Sequence, residues 1–90
     1  MSIERNIVTT TLTTLGSILS TKFDAPESDL VPTVTFEELG LDDSLTLVEL
    51  AVSIQRETGA RLEDGQLYPD QTLGGAAALI DSVLLESVHT

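Results

Sequence analysis

Apolar residues recur at helical spacing in three separate parts of this 90-residue chain. The three parts cover about residues 3–20, 44–58 and 72–88, and in each of them the apolar positions fall on one side of a helix. Threonines between residues 9 and 14 oppose a helix locally, because a β-branched side chain is restricted there. Strand alternation fits the apolar positions less well. The spacing therefore predicts an all-α fold.

The rest of the chain supplies the connections of a single domain over residues 1–90, which has room for one modest core. Residues 21–43 form a long first loop. One short helix or turn is expected around Leu67-Tyr68, as a helix at about 64–69, before Thr72 caps the last helix. Only three aromatic residues are present, so aliphatic side chains must fill the core, as they can in a small helical bundle. We predict a four-helix bundle with three longer helices and a short third one.

The second helix has two apolar strips. It begins after Asp43 or at Ser44, either of which can cap it, and it ends before Gly59. One strip has the spacing of a core stripe and contains Leu47, Leu50, Ala51, Ile54 and Thr58. The second strip, on another side of the helix, contains Leu45, Val48 and Val52. It predicts a docking face; the alternative is that another helix covers both strips.

The residues around Ser44 resemble the prosthetic-group site of acyl carrier proteins. The run from Leu39 to Leu45, followed by Val48-Glu49-Leu50, is similar to the motif in which a serine after Asp carries 4′-phosphopantetheine. The likeness continues to about Ile80. Two residues rather than one separate Gly40 from the Asp-Ser pair, but Phe36 stands at the expected eight positions before Ser44. The resemblance therefore implies that Ser44 is the attachment residue.

The same resemblance implies the partners and the role. A phosphopantetheinyl transferase would attach the arm, and ketosynthase, acyltransferase or acyl-activating enzymes would use it through basic surfaces. The residues expected to dock these partners are Asp42, Asp43, Leu45, Val48, Glu49 and Val52. The run Ser-Leu-Thr-x-Val-Glu-Leu is most similar to discrete polyketide carriers, within a wider class that includes fatty-acid carriers. D-alanyl or other aminoacyl carriers are the alternative cargo class.

Charge and composition narrow the remaining functions. The net charge of −11 argues against nucleic acid and anionic membranes as partners and favours basic proteins. No signal peptide or membrane-spanning run is visible, so a soluble cytoplasmic protein is expected. We also expect the protein to be a monomer. The absence of Cys and the spacing of the acidic residues leave no metal site, calcium loop or catalytic triad. The protein is therefore expected not to be an enzyme; an unmodified helical interaction module is the other alternative.

Overall fold

Three α-helices make up the frame of the molecule. The computed structural model describes residues 4–63 and 65–88. Within them, α1 runs over Glu4–Lys22, α2 over Ser44–Thr58 and α3 over Leu73–Val88. Helix α1 packs against both α2 and α3, and the described residues contain no strand longer than one isolated bridge. The predicted all-α class is confirmed; the predicted helix start at about residue 3 lies outside the described residues.

The core is aliphatic and is built from one stripe of each helix together with the first loop. Leu47, Leu50 and Ile54 of α2 are buried, as the core stripe predicts, while Ala51 and Thr58 are half-buried. The largest fully buried side chains are Phe36, Leu15, Leu19, Leu50, Ile54, Leu73 and Ile80. The only aromatic among them, Phe36, comes from the loop, so the loop before Ser44 is part of the core.

The ends of α1 and α2 are set by residues in the left-handed conformation. Gly59, with φ of 85°, caps α2, and its N–H donates to the carbonyl of Gln55 at 2.8 Å. Helix α1 continues to Lys22, two residues past the predicted end at about 20. There Asp24 takes φ of 58°, and the Ala25 N–H donates to the Leu19 carbonyl at 3.0 Å. That bond joins residues six apart, one more than in the Schellman motif, and Asp24 stands in the left-handed place that glycine usually takes at a helix end.

The short helix predicted over 64–69 is wrong for residues 65–69, which form turns; residue 64 lies outside the described part. Gly65 has φ of 88°, which no right-handed helix contains. The buried Gln71 supplies the partners that helical bonds would have given. Its side-chain amide donates to the Gln66 carbonyl at 3.1 Å and accepts from the Tyr68 N–H at 3.4 Å.

The first loop is fastened along the segment that enters α3. Backbone N–H groups of Phe36 and Glu37 donate to the carbonyls of Gln71 and Pro69, at 3.1 and 2.8 Å. Further along, the N–H groups of Leu73 and Gly74 donate to the carbonyls of Val34 and Pro32, at 3.0 and 2.9 Å. A Cβ at Gly74 would lie only 3.2 Å from the Pro32 oxygen, so glycine permits this close approach. The loop before Ser44 is thereby held in one place.

Candidate functional site

A tight turn brings Ser44 to the surface at the start of α2. A 3₁₀ turn covers Glu37–Leu39, and Gly40 follows in the left-handed conformation with φ of 84°. The Leu41 N–H then donates to the Phe36 carbonyl at 2.8 Å, and the Leu41 side chain is buried. Because Phe36 and Leu41 both anchor the turn in the core, the residues after it point outward. Asp42, Asp43 and Ser44 are all exposed.

The amino end of α2 is open. Asp43 is the N-cap residue, with φ of −93° and ψ of 137°, and its carbonyl accepts the first helical bond from Leu47 at 3.0 Å. Its side chain makes no capping bond, so the predicted side-chain cap is absent. The hydroxyl of Ser44 makes no hydrogen bond to the part of the chain that the structure describes. The first-turn N–H groups and the helix dipole therefore favour an anion beside Ser44.

The second strip of α2 lies in solvent. Leu45 is 63% exposed, Val48 49% and Val52 45%, and Glu49 between them is exposed as well. No helix within the described ranges covers them, which removes the alternative that another helix buries both strips. Three large apolar side chains in the open beside an acidic turn form a surface that a partner can cover. Their docking role stays a prediction.

A groove begins at Ser44 and follows α2. It has a volume of about 430 Å³ and is partly open to solvent. Helix α2 forms one wall, and the loop between α2 and α3 forms the other. The α2 wall consists of Ser44, Leu47, Val48, Ala51, Val52 and Gln55, and the loop wall of Leu62, Glu63, Gly65 and Leu67. The hydroxyl of Ser44 thus stands at one end of a channel with mostly apolar walls.

These features suit a residue that other enzymes modify. Among the described residues no group of three or more His, Cys, Asp or Glu side chains could hold a metal ion. The Ser44 hydroxyl is exposed and makes no hydrogen bond to those residues, so another protein can reach its oxygen. Among these same residues, no helix combines the length and the apolarity needed to cross a membrane.

Sequence reasoning predicted the exposed strip of α2 and made Ser44 the candidate attachment residue, because both lie on one short local pattern; the role of Ser44 stays a prediction. It missed the loop wall of the groove and the part played by Gln71. A buried glutamine in a polar stretch gives no periodic signal. The two bonds of Gln71 to Gln66 and Tyr68 depend on a turn in a segment where the sequence predicted a helix. The proline and glycine at 69 and 65 were the available signals that favoured turns.

Comparison with known proteins gives a family and one relative. Residues 13–80 match the family described as "Phosphopantetheine attachment site", which is about three quarters of the chain. The chain is also 41% identical over 69 residues to part of the non-reducing polyketide synthase spyA of Aspergillus fumigatus. The match covers 77% of this chain but only 4% of that much larger protein. No solved structure gives a significant match.

Proposed function

The chain belongs to the phosphopantetheine-attachment-site family, and from that membership we propose that Ser44 carries the arm and that acyl intermediates travel on it. Members of the family bear covalently attached 4′-phosphopantetheine and are substrates of other enzymes, not catalysts. The observation that carries the assignment is the exposed Ser44 hydroxyl at the first residue of α2, inside the matched region. When bound, the arm supplies a terminal thiol that holds acyl groups as thioesters.

The surroundings of Ser44 fit the phosphate of such an arm. In the attachment step the Ser44 oxygen forms a bond to the phosphorus of coenzyme A nearest the pantetheine, and the bond from that phosphorus to the adenosine bisphosphate breaks. The transferase takes the serine proton. The phosphodiester stays beside the open first turn of α2, where helix N–H groups stabilise an anion by about 0.3–1 kcal/mol at an exposed site. No side chain of the described residues competes for those N–H groups.

Recognition by partners is assigned to the outer face of α2. Phosphopantetheinyl transferases and synthase enzymes in general interact with carriers of this family. We assign their contacts here to the exposed strip of Leu45, Val48 and Val52, because its apolar side chains have no partner within the described part of the chain. The carboxylates of Asp42, Asp43 and Glu49, all exposed, would meet basic residues. They steer the encounter more than they add affinity.

The cargo is proposed to be a polyketide-type acyl group. Two observations support this: the similarity of the Ser-Leu-Thr-x-Val-Glu-Leu run to polyketide carriers, and the 41% identity to part of a polyketide synthase. We also propose that the partner ketosynthase and acyltransferase are separate proteins. This second proposal rests only on the similarity of the run to discrete polyketide carriers. Detection of the native product in cell extract tests it. A species near 9.6 kDa supports a discrete carrier, and a product many times larger contradicts it.

A loading experiment tests the carrier function. The chain bearing its arm is incubated with malonyl-coenzyme A and a polyketide-type acyltransferase, and in parallel with an amino acid, ATP and an aminoacyl-activating enzyme. We expect malonyl loading that hydroxylamine removes, since hydroxylamine cleaves thioesters, and no loading of the Ser44→Ala variant. Loading by the amino acid alone would contradict the polyketide-type assignment and support the aminoacyl class.

A further inference from the structure

Gln55 stands at the opposite end of the Ser44 groove. Both residues line it, and they are separated by three turns of α2. Eleven residues at a rise of 1.5 Å correspond to about 16 Å along the helix axis. The α2 wall between them is apolar and consists of Leu47, Val48, Ala51 and Val52. Gln55 is thus a polar residue at the end of a wall whose other residues beyond Ser44 are apolar.

That distance matches the length of the arm. About fourteen covalent bonds separate the serine oxygen from the terminal sulfur, and an extended chain advances about 3.3–3.6 Å for every three bonds, which gives roughly 16 Å. An arm that starts on Ser44 and lies along the groove therefore brings its sulfur to the turn that carries Gln55. Helical side chains lean toward the amino end of their helix, so the Gln55 amide leans toward the arriving thioester.

The Gln55 amide is available for a new hydrogen bond. The side chain is exposed and makes no hydrogen bond to the described part of the chain; it is the backbone carbonyl of Gln55 that accepts from the N–H of the cap residue Gly59. A primary amide offers two N–H donors. On the facing wall, Glu63 has only acceptor oxygens as a carboxylate. Gln55 is therefore the side chain at this end suited to donating to a carbonyl oxygen.

We propose that Gln55 is a specificity-determining residue that donates a hydrogen bond to the cargo, and that the groove favours oxygenated, β-ketoacyl thioesters over saturated ones. The inference rests on the proposed attachment of the arm to Ser44. Both cargoes carry the thioester carbonyl, but a β-ketoacyl group adds a second carbonyl oxygen beyond it. A saturated chain has methylene groups at that place, which cannot accept from the two N–H donors of the Gln55 amide.

The test compares two cargoes of equal chain length. A phosphopantetheinyl transferase loads the protein with the arm alone, with a butyryl group or with an acetoacetyl group, each from its coenzyme A derivative. Two-dimensional NMR then follows the side-chain amide signals of Gln55, which are identified by their absence in Gln55→Glu. We expect these signals to move clearly in the acetoacetyl form and little in the butyryl form.

Thioester cleavage supplies a second readout. We expect the ratio of the acetoacetyl to the butyryl release rate by dithiothreitol, which exchanges with the thioester, to rise in Gln55→Leu by about two- to tenfold, the range that one net hydrogen bond supports. Arg56→Leu is the matched control, because Arg56 is exposed on the same turn and does not line the groove; it should leave the ratio unchanged.

The outcomes separate this inference from the function it rests on. Equal movement of the Gln55 signals with both cargoes, or an unchanged rate ratio in Gln55→Leu, overturns the role of Gln55 while the loaded protein still supports attachment at Ser44. If Ser44→Ala is loaded as fully as the wild-type chain, the attachment assignment itself fails. Circular dichroism of each variant shows whether it has kept its helices.

Discussion

At the scale of single residues, the position of Ser44 is what makes its hydroxyl accessible. Its hydroxyl is exposed at the open end of α2, and the residues before it are held by Phe36 and Leu41 in the core. The neighbouring side chains divide into two sets on the same helix. Ile54 is fully buried, whereas Val48 is about half exposed. This division allows recognition and stability to be tested separately.

Replacing Val48 by Asp should slow attachment of the arm and leave the fold intact. Exposed substitutions usually change the free energy of unfolding by less than about 0.5 kcal/mol. At the contact with the transferase, however, the new charge would lose its water. Urea unfolding and a time course of attachment, measured side by side, check the two halves of this prediction.

Ile54→Ala is the control for the Val48 variant. Its side chain is fully buried in the core stripe, so truncation should lower the free energy of unfolding by roughly 2–5 kcal/mol. If Val48→Asp destabilises the domain as much as this, Val48 belongs to the core and the docking surface is wrongly placed. Attachment at the wild-type rate in a stable Val48→Asp protein would also contradict the docking role.

Residue by residue, the sequence could predict what depends on local pattern. The core stripe and the exposed strip of α2 both follow from helical spacing, which fixes the face on which each side chain lies. The sequence could not predict that the side chain of Gln71 would be buried beside a turn. Gln71 is buried because its amide satisfies two backbone groups of the preceding turn, and that arrangement requires the turn to exist first.

At the scale of elements, helix ends decide where the functional groups lie. Helix α2 begins without a side-chain cap, which keeps its first-turn N–H groups available for an anion. Helix α1 ends on Asp24 at φ of 58°, a conformation in which glycine and asparagine are usual. Asp24 also puts a negative charge at the negative end of the helix dipole. Asp24 therefore makes the end of α1 less stable than glycine or asparagine would at this position.

Asp24→Asn should therefore stabilise the domain. Asparagine tolerates the left-handed conformation, and loss of the charge relieves its repulsion by the helix dipole, an effect of about 0.3–1 kcal/mol. Thermal unfolding at low salt measures the gain. Glu27→Gln is the matched control, because it removes one exposed carboxylate without touching the helix end. An equal gain in both variants would mean that net charge, and not the end of α1, limits stability.

Among the elements, the three long helices follow from periodicity, whereas the segment between α2 and α3 does not. The composition of residues 64–69 predicts one short helix there. Gly65, in the left-handed conformation, and Pro69, which has no N–H to donate, oppose a continuous helix there. Long apolar stripes determine a helix through the burial they allow, and this short segment has only Leu67 fully inside the core.

At the scale of the whole molecule, charge and loop anchoring act together. Eleven uncompensated negative charges repel one another across a small domain, which weakens the folded state and attracts basic partners. The four bonds between the loop at 32–37 and the segment at 69–74 hold the approach to Ser44 against that repulsion. These bonds also link the loop before Ser44 to the loop wall of the groove, because the segment at 69–74 directly follows that wall in the chain.

Salt should accordingly move stability and modification in opposite directions. Between about 0.01 and 0.15 M salt the Debye length falls from about 30 to 8 Å. We expect the melting temperature to rise, because self-repulsion is screened, and the association rate with a basic transferase to fall. Melting curves and initial attachment rates over that range measure both.

A pair of double variants shows which carboxylates guide the partner. Asp42→Asn with Asp43→Asn should flatten the salt dependence of the attachment rate, because both carboxylates stand directly before Ser44 in the chain. Glu27→Gln with Asp29→Asn removes the same charge from a second 3₁₀ turn, at Glu27–Asp29, and should flatten the salt dependence less. Equal flattening would assign the steering to net charge rather than to the acidic turn before α2.

The most direct measurement of the central claim is the intact mass of the chain after incubation with coenzyme A, Mg²⁺ and a phosphopantetheinyl transferase, followed by peptide mapping. We predict a gain of one phosphopantetheine group in the wild-type protein, located on Ser44, and the same gain in Ser53→Ala. Ser44→Ala should gain nothing while its urea unfolding stays nearly unchanged, because the Ser44 side chain caps nothing in the described structure. A full mass gain in Ser44→Ala, or a label on Ser53, would contradict the account.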